Sequence, residues 1–296
     1  MIPLIFILAV LIGGSNGSAV KFTVSQWPTF VFVGLRSLVA ILITLPFIVR
    51  SIGITFEKRL FSLFFVNILF AANWLIFAAG IQKTSIIMAT LIYLSTSLVV
   101  GVTSFILFGE RLTKNQIFGL ILTMAGSTVL IMGAIKKTDN VFGTPVGNLL
   151  VVAAMLCWAF YYVFSSRISK QYSPLTIIFY NFVVSFILAL LLTVLGGNAK
   201  NLNLINTPPG AWLGIAYVGV FSSAGYFYVN QWLIKHTSAF ISSLQNYPAT
   251  LVASVLGIIF FKESLTSNVV IAAALIMTGV FLATSYNYLI NKISKS

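Results

Sequence analysis

Polar side chains recur inside long apolar stretches of this sequence at the spacing of a single helix face. Residues four apart in an α-helix lie one above the other. Two stretches carry such a stripe, made of Ser242, Asn246, Thr250 and Ser254 in one and of Ser222, Tyr226 and Asn230 in the other. Such groups either hydrogen-bond between helices or line a polar cavity, since amides and phenols rarely face lipid. We favour helix contacts for single hydroxyls and a solute-binding cavity for Asn230 and Asn246.

Aromatic side chains accompany these polar groups in further apolar stretches. Trp158, Tyr161, Tyr162 and Ser165 follow the spacing of one helix face, as do Thr90, Tyr93, Ser97 and Ser104, while Asn73 and Trp74 are neighbours. Their positions well inside the stretches, away from an interfacial aromatic belt, predict an aromatic-walled site for a small solute. The candidate solute-binding residues are Asn16, Arg36, Asn73, Trp74, Tyr93, Trp158, Tyr161, Tyr162, Tyr226, Asn230, Gln245 and Asn246.

Glycines surround Asn16 in the first apolar stretch. Gly13, Gly14 and Gly17 allow either close packing of another helix or a bend. We favour close packing, with Asn16 at the mouth of the cavity.

Arg36 is the charged residue placed clearly within an apolar stretch. Eight helical residues separate it from Pro28, a depth of about 12 Å. A buried arginine is unfavourable unless it is paired or hydrated, and such residues are usually functional. The alternatives are that its side chain reaches the membrane surface along its own stem or donates to exposed backbone carbonyls. Glu110 and Glu263, which lie at the ends of apolar stretches, are interpreted as structural residues of the membrane surface.

The residue types typical of enzymes are not combined in this sequence. It has no paired carboxylates inside apolar stretches, no Cys and His cluster for a metal, and no Ser with His and an acid nearby. The glycines follow no predicted strand, so no phosphate-binding loop is indicated. We therefore predict no enzymatic activity, no cofactor and no metal.

The composition indicates a membrane protein. Of 296 residues, 59% are hydrophobic and 7% are charged, and the mean hydropathy is +1.05. A soluble domain carries roughly 25% charged residues. The net charge of +13 would suggest nucleic acid in a soluble protein, but here the basic residues are scattered singly at the ends of apolar stretches. Membrane topology explains them better than nucleic-acid binding.

Ten apolar runs have the length of a membrane-spanning helix, about 20 residues. They lie near residues 2–20, 28–49, 60–82, 85–108, 115–135, 147–166, 175–195, 211–234, 238–261 and 268–290. The first run has no basic segment before it and is interpreted as a helix of the mature protein. Spans three and four, and spans eight and nine, are joined by so few residues that each pair must form a tight antiparallel hairpin.

The chain repeats itself at nearly constant offsets. Ile81, Thr84, Ser85, Glu110, Leu112, Thr113 and Gly126 recur 153 residues later as Ile234, Thr237, Ser238, Glu263, Leu265, Thr266 and Gly279. The earlier part of each half matches at an offset of 146 residues, which pairs Pro28 with Pro174. We predict two five-helix repeats, 1–135 and 147–296, joined by a linker at 136–146.

The distribution of basic residues predicts the orientation. With a cytoplasmic N-terminus the inner loops hold ten basic residues and the outer loops six, which favours both termini inside. Because each repeat has five spans, the second would enter the membrane upside down relative to the first. Inverted repeats of this kind are a recurring build of secondary transporters, which bind substrate near the middle of the membrane.

Several short motifs also resemble a known family. Gly14-Ser15-Asn16 followed by Lys21, Arg36, the Gly-Glu-Arg-Leu run at 109–112, Trp158-Ala159 and the run Lys-Glu-Ser-Leu at 262–265 are similar to the ten-helix EamA branch of the drug/metabolite transporter superfamily. The resemblance implies a carrier of small metabolites, often an exporter of amino acids, that works by alternating access. It also implies a cavity lined by helices 1, 3, 4, 6, 8 and 9. The family's usual proline in helix 4 is replaced by Ser97, whereas span nine keeps Pro248.

We therefore predict an all-α membrane protein with ten transmembrane helices that exports neutral or zwitterionic metabolites. Its partners would be a small-molecule solute and the lipid bilayer, with a homodimer as a further expectation. It would lie in the plasma (inner) membrane, and its transport would be facilitated diffusion or exchange, since its acids and its histidine lie at span ends or in loops. The alternatives are an anion or phosphate-ester exchanger, a lipid head-group flippase and a membrane enzyme. Anion exchange would require Arg36 and lysines to converge on the cavity.

Overall fold

The computed structural model describes residues 2–51, 60–135, 143–196, 207–261 and 267–293, and within these ranges all regular structure is helical. The α-helices are α1 (Ile2–Val24), α2 (Thr29–Ser51), α3 (Leu60–Ile81), α4 (Ile86–Leu94), α5 (Thr96–Phe108), α6 (Lys114–Ile135), α7 (Pro145–Ile168), α8 (Pro174–Leu195), α9 (Pro209–Tyr217), α10 (Tyr226–His236), α11 (Ala239–Ser243), α12 (Asn246–Phe261) and α13 (Ser267–Ile293). A π-helical segment, Val218–Gly225, joins α9 to α10. Each of the ten predicted spans coincides with these helices. Most of the predicted linker, 136–142, lies outside the described residues.

Helix length and composition confirm an all-α membrane protein. Within the described residues, six helical stretches are long and apolar enough to cross a membrane: Thr29–Arg50, Ser62–Ile81, Met88–Phe108, Pro145–Ile168, Pro174–Leu195 and Pro209–His236. Two shorter apolar helices are Ile2–Asn16 and Val270–Thr284. A helix of 22 residues is about 33 Å long, enough for a hydrocarbon core of about 30 Å. Large apolar side chains such as Leu149, Leu195 and Leu213 remain exposed on the outer surface, as lipid contact requires.

Equivalent serines begin the second helix of each predicted tight hairpin. The Ser85 hydroxyl accepts a hydrogen bond from the backbone N–H of Met88 at 3.0 Å, and the Ser238 hydroxyl accepts one from Ile241 at 3.1 Å. Serine at this position satisfies an N–H that has no partner within the helix. The same cap therefore starts α4 and α11.

Helices α6 and α13 pack antiparallel through small residues. A Cβ placed on Gly279 would lie 2.6 Å from the carbonyl oxygen of Gly119, and one on Gly126 would lie 3.0 Å from that of Ala272. The offset of 153 residues pairs Gly119 with Ala272 and Gly126 with Gly279. The offset therefore maps the contact of Gly279 with Gly119 onto the contact of Gly126 with Ala272. A two-fold axis perpendicular to the helices would produce this reciprocal pattern.

The remaining contacts between the halves are also reciprocal. Helix α2 packs on α8, its counterpart in the second half. Helix α3 packs on α7 and α8, while the π-helical segment, which follows α9, packs on α1 and α2. These interfaces place α2, α3, α7, α8 and the eighth span around the centre of the protein, where most of the buried polar side chains lie.

The fourth and ninth spans are both interrupted. Ser95 separates α4 from α5, and Leu244 and Gln245 separate α11 from α12. In the ninth span Pro248 has no N–H to donate. In the fourth span, which lacks a proline, the Thr96 hydroxyl donates to the carbonyl of Tyr93 at 2.6 Å. A break occurs in the first half although the usual proline is absent.

Candidate functional site

A hydrogen-bonded cluster of Tyr162, Asn230 and Gln245 joins the sixth, eighth and ninth spans. The Tyr162 hydroxyl donates to Asn230 Oδ1 at 2.9 Å, and Gln245 Nε2 lies 3.0 Å from the Tyr162 oxygen. Gln245 Nε2 also donates to Asn230 Oδ1. All three side chains are buried, so three of the predicted site residues, which are distant in sequence, meet in the core.

A second cluster surrounds Tyr161, on the same helix. Its hydroxyl donates to Gln231 Oε1 at 3.0 Å and accepts from Asn181 Nδ2 at 2.8 Å. The Ser165 hydroxyl donates to the same Gln231 oxygen at 2.8 Å. Gln231 and Asn181 were not predicted as site residues. An amide inside an apolar span was the available signal for both.

Asn73 and Tyr93 form a further hydrogen-bonded contact, in the first half of the chain. Asn73 Nδ2 donates to the Tyr93 hydroxyl at 2.6 Å and to the carbonyl of Ala154 at 2.8 Å. The latter bond crosses from α3 to α7. Asn73 thus links the third and fourth spans to the second half.

An aromatic cluster, made of Phe70, Trp74, Trp158, Phe182 and Phe227, fills the centre between these polar groups. The Phe70 ring centre lies 4.7 Å from that of Trp74 and 4.9 Å from that of Phe227. Trp158 stacks on Tyr161 at 5.0 Å with an interplanar angle of 6°. Large rings bury much apolar area and hold defined mutual orientations. The cluster therefore fixes Trp74 and Trp158 in position.

Arg36 points into this centre and not toward the membrane surface. Its side chain is 5% exposed, and its guanidinium carbon lies 3.8 Å from the centre of the Trp74 ring. Arg36 Nε and Nη2 donate to the Ser223 hydroxyl oxygen at 3.1 and 3.0 Å. The alternative that this side chain reaches the surface along its own stem is wrong.

The π-helical segment positions the Ser223 hydroxyl to accept hydrogen bonds from Arg36. The Ser223 hydroxyl donates to the carbonyl of Val218, five residues earlier, at 2.8 Å. Its lone pairs therefore remain available to accept from Arg36. A Cβ on Gly219 would lie 2.5 Å from Val39, so a glycine here allows the segment to approach α2. Single π-helical turns are rare in proteins, and those that occur are often found at functional sites.

The other predicted residues lie around this centre with different exposure. Tyr226 is buried next to Gly13, on which a Cβ would lie 3.1 Å from the Tyr226 ring. Gly14 lies against Val252 in the same way, so these glycines serve helix packing, as predicted. Asn16 and Asn246 are half-buried, and Asn16 Oδ1 and Asn246 Nδ2 have no hydrogen-bond partner among the described residues.

The charged residues of the span ends lie apart from the centre. Arg167 and Glu110 form an ion pair of 2.6 Å and are both partly exposed, while Glu263 lies outside the described residues. Among the basic side chains whose exposure is described, Arg36 is the buried one. The convergence of lysines on Arg36 that anion exchange would require is not observed in this part of the chain.

Comparison with known proteins agrees with this architecture. The EamA-like transporter family matches residues 1–132 and 145–285, which is most of the chain. The chain belongs to the EamA-like transporter family. The earlier resemblance to this branch of the drug/metabolite transporter superfamily is thereby confirmed.

Several curated proteins resemble this family member over most of their length. The uncharacterized transporter YyaM of Bacillus subtilis is 29% identical over 71% of this chain and 68% of its own. The uncharacterized inner membrane transporter YedA of Escherichia coli is 24% identical over 94% of this chain and 89% of its own. A solved crystal structure with 19% identity covers 96% of each chain with a TM-score of 0.76, which shows that the fold is shared.

Proposed function

We propose that this protein is a secondary transporter of small neutral or zwitterionic metabolites, such as amino acids, and that it works by alternating access. Membership of a transporter family supports transport over catalysis. The observation that carries the solute class is the set of hydrogen-bonding amides at the centre of the protein. Solutes with amino and carboxyl groups match amides and phenols that donate and accept hydrogen bonds.

The amides of the central clusters keep unused hydrogen-bonding capacity. Asn230 Nδ2, Gln231 Nε2 and Gln245 Oε1 are buried and have no hydrogen-bond partner in the described part of the chain. A buried polar atom without a partner costs about 1–3 kcal/mol. A solute that reaches these atoms would recover that free energy, which supports a binding role for the clusters.

The proposed mechanism requires two halves that can exchange roles. We propose an inverted repeat of 1–135 and 147–296, supported by the reciprocal contacts of α6 with α13. Tyr161, Tyr162 and Asn230 have no exposed surface, which supports assignment of this conformation to a closed state. Movement of one half against the other would then open the central clusters to each side in turn.

Orientation and direction belong to the same proposal. We place the protein in the plasma (inner) membrane with both termini cytoplasmic, working as an exporter. Cysteine introduced at Thr266, but not at Thr113, should react with a membrane-impermeant reagent in intact cells. Reaction at both positions from outside would contradict the inverted repeat. Thr266 lies outside the described residues, so this expectation comes from the sequence.

Counterflow in proteoliposomes tests the function. Vesicles loaded with an unlabelled amino acid should take up the same labelled amino acid, tested over a panel of apolar, polar and aromatic amino acids. Asn246→Ala and Tyr161→Phe should weaken the apparent affinity by roughly 5- to 150-fold, because each removes a polar group worth about 1–3 kcal/mol. The Ser166→Ala variant is the control, since that hydroxyl bonds to Val163 within its own helix.

The outcomes separate binding from packing. Tyr161→Phe keeps the ring that stacks on Trp158 but removes the acceptor of the Asn181 amide, so its transport is compared with that of the wild type at equal amounts of folded protein. Flux that is unchanged in both variants would assign the clusters to helix packing. A panel without any transported amino acid would contradict the proposed solute class.

An anion or phosphate-ester exchanger is the second candidate, and the burial of Arg36 favours it. A phosphate monoester carries about −1.5 to −2 charges at neutral pH, whereas Arg36 supplies a single positive charge. Since the described lysines lie at exposed span ends, we rank this candidate below amino acids.

A further inference from the structure

The guanidinium of Arg36 has no counter-charge among the described residues. Its recorded contacts are the Ser223 hydroxyl and the rings of Trp74 and Phe32, at 3.8 and 5.5 Å. Within the described residues the single ion pair is that of Arg167 with Glu110. A buried cation is strongly unfavourable unless a negative charge compensates it. A neutral hydroxyl and an aromatic face compensate it only in part.

The fold itself does not require an arginine at this position. The offset of 146 residues pairs Arg36 with Phe182, and the offset of 153 residues pairs Ser223 with Phe70. Phe182 and Phe70 are in contact, with ring centres 6.0 Å apart. The equivalent interface is therefore filled by two aromatic rings. Burial of an arginine costs free energy, and aromatic side chains pack well at the equivalent positions. The presence of arginine at position 36 therefore indicates function.

We propose that Arg36 binds the carboxylate of the transported solute and that Ser223 occupies its donors when no solute is bound. The inference rests on the proposed transport of amino acids and deepens it. Arginine and carboxylate match in geometry and can form two parallel hydrogen bonds. Ser223 can release Arg36 at small cost, because its hydroxyl keeps its bond to Val218.

The single charge also defines the solute class. One guanidinium neutralises one carboxylate, so the solute carries a single anionic group, as an amino acid does. The aromatic cluster beside Arg36, with Trp74 in direct contact, would contact the apolar part of the solute. Amides and amines of the same skeleton lack the group that Arg36 recognises.

The wild-type protein provides the first test. Counterflow of labelled leucine and phenylalanine is competed with the unlabelled amino acid, its amide, the corresponding amine, and glucose 6-phosphate. The free amino acid should compete about 10- to 150-fold better than its amide, the difference expected for loss of a hydrogen-bonded charged group. Equal competition by acid and amide would overturn the role of Arg36 while leaving amino-acid transport in place. Absence of counterflow for every amino acid tested would contradict the function itself, and stronger competition by the phosphate ester would favour the anion exchanger.

Variants then separate binding from packing. Arg36→Gln should lose the preference for the carboxylate. Arg36→Lys should keep part of this preference, because lysine retains the positive charge but cannot form the bidentate hydrogen bonds of arginine. Arg50→Gln is the matched control, since it removes an exposed arginine from the end of the same helix.

Ser223→Ala distinguishes recognition of the solute from attachment of α2 to the eighth span. If Arg36 binds the carboxylate, Ser223→Ala should keep the preference for the acid within about threefold of the wild-type value. If Arg36 serves only to hold Ser223, both variants should lose transport together, and the proposal is wrong. Should Arg36→Gln fail to fold, the competition by the wild-type protein and by Ser223→Ala still decides.

Discussion

The two halves differ most in where they carry hydrogen-bonding side chains. In the second half Tyr162, Asn230 and Gln245 bond to one another across three spans. The repeat offsets place Asn16, Phe77 and Ile92 at the equivalent positions of the first half. Two of these are apolar, and Asn16 Oδ1 has no partner in the described residues. The helix packing is reciprocal between the halves, while the hydrogen-bonded clusters of tyrosines and amides lie in the second half.

The interrupted spans show a related difference. Pro248 accompanies the break in the ninth span, whereas in the fourth span Tyr247 of the opposite half donates its hydroxyl to the carbonyl of Leu94 at 2.8 Å. Tyr247 and Leu94 are themselves related by the offset of 153 residues. The break in the second half thus lies near a proline, which has no N–H to donate, and the break in the first half lies beside a carbonyl that accepts a hydrogen bond from the other half.

The largest effect is expected where the halves are most unlike. Phe182→Arg would bury a second guanidinium against Phe70, which occupies the position equivalent to Ser223, and should cost roughly 3–5 kcal/mol of stability. Arg36→Phe should remain folded, because the equivalent interface already holds two rings. Fluorescence-detected gel filtration measures both. Equal folding of wild type and Phe182→Arg would mean that the two interfaces are interchangeable.

A smaller effect is expected where the halves are alike. Gly126→Leu and Gly279→Leu each force a side chain into backbone of the opposing helix and should destabilise by about 1–3 kcal/mol, as overpacking does. The two values should be similar, since the positions are equivalent. Gly210→Leu is the control, because a Cβ there meets no atom within 4 Å. Thermal unfolding in detergent compares the three, and a large difference between the first two would contradict the equivalence.

The contact that supports the fourth span should have a more modest effect. Tyr247→Phe leaves the Leu94 carbonyl without its donor and should cost about 0.5–1.5 kcal/mol. Tyr228→Phe, on an exposed tyrosine, should be neutral in the same thermal unfolding experiment. If Tyr247→Phe is as stable as the control, the break in the fourth span does not depend on the second half.

The smallest effect is expected from a pH gradient. Within the described residues, Glu110 is partly exposed and paired with Arg167, and His236 is exposed at the end of α10. A proton-coupled carrier usually holds a titratable group inside the membrane. At equal solute concentration on both sides, an imposed pH gradient should therefore cause no accumulation. Accumulation would contradict facilitated diffusion or exchange and would direct mutagenesis to His236 and Glu263.

Sequence alone predicted the helices and the presence of polar side chains such as Tyr162, Asn230 and Gln245 in the core. A run of about 20 apolar residues has few alternatives to a membrane helix, because its backbone must satisfy its own hydrogen bonds in lipid. The roles of Gln231 and Asn181 were missed, since each depends on Tyr161 of another span. The break at Ser95 has no proline to mark it in the sequence.

Local physics therefore determined the class of this protein, because hydrophobic length defines the spans, and the constant offsets support the proposed repeat. Only the tertiary structure decided what Arg36 contacts, because the direction of a long side chain depends on the helices around it. Ser223 lies 187 residues away, and no spacing rule in the sequence connects the two. The π-helical segment that presents Ser223 likewise forms against α2, where Gly219 allows close approach. The pairing of a buried charge with its partner is a property of packing between the halves.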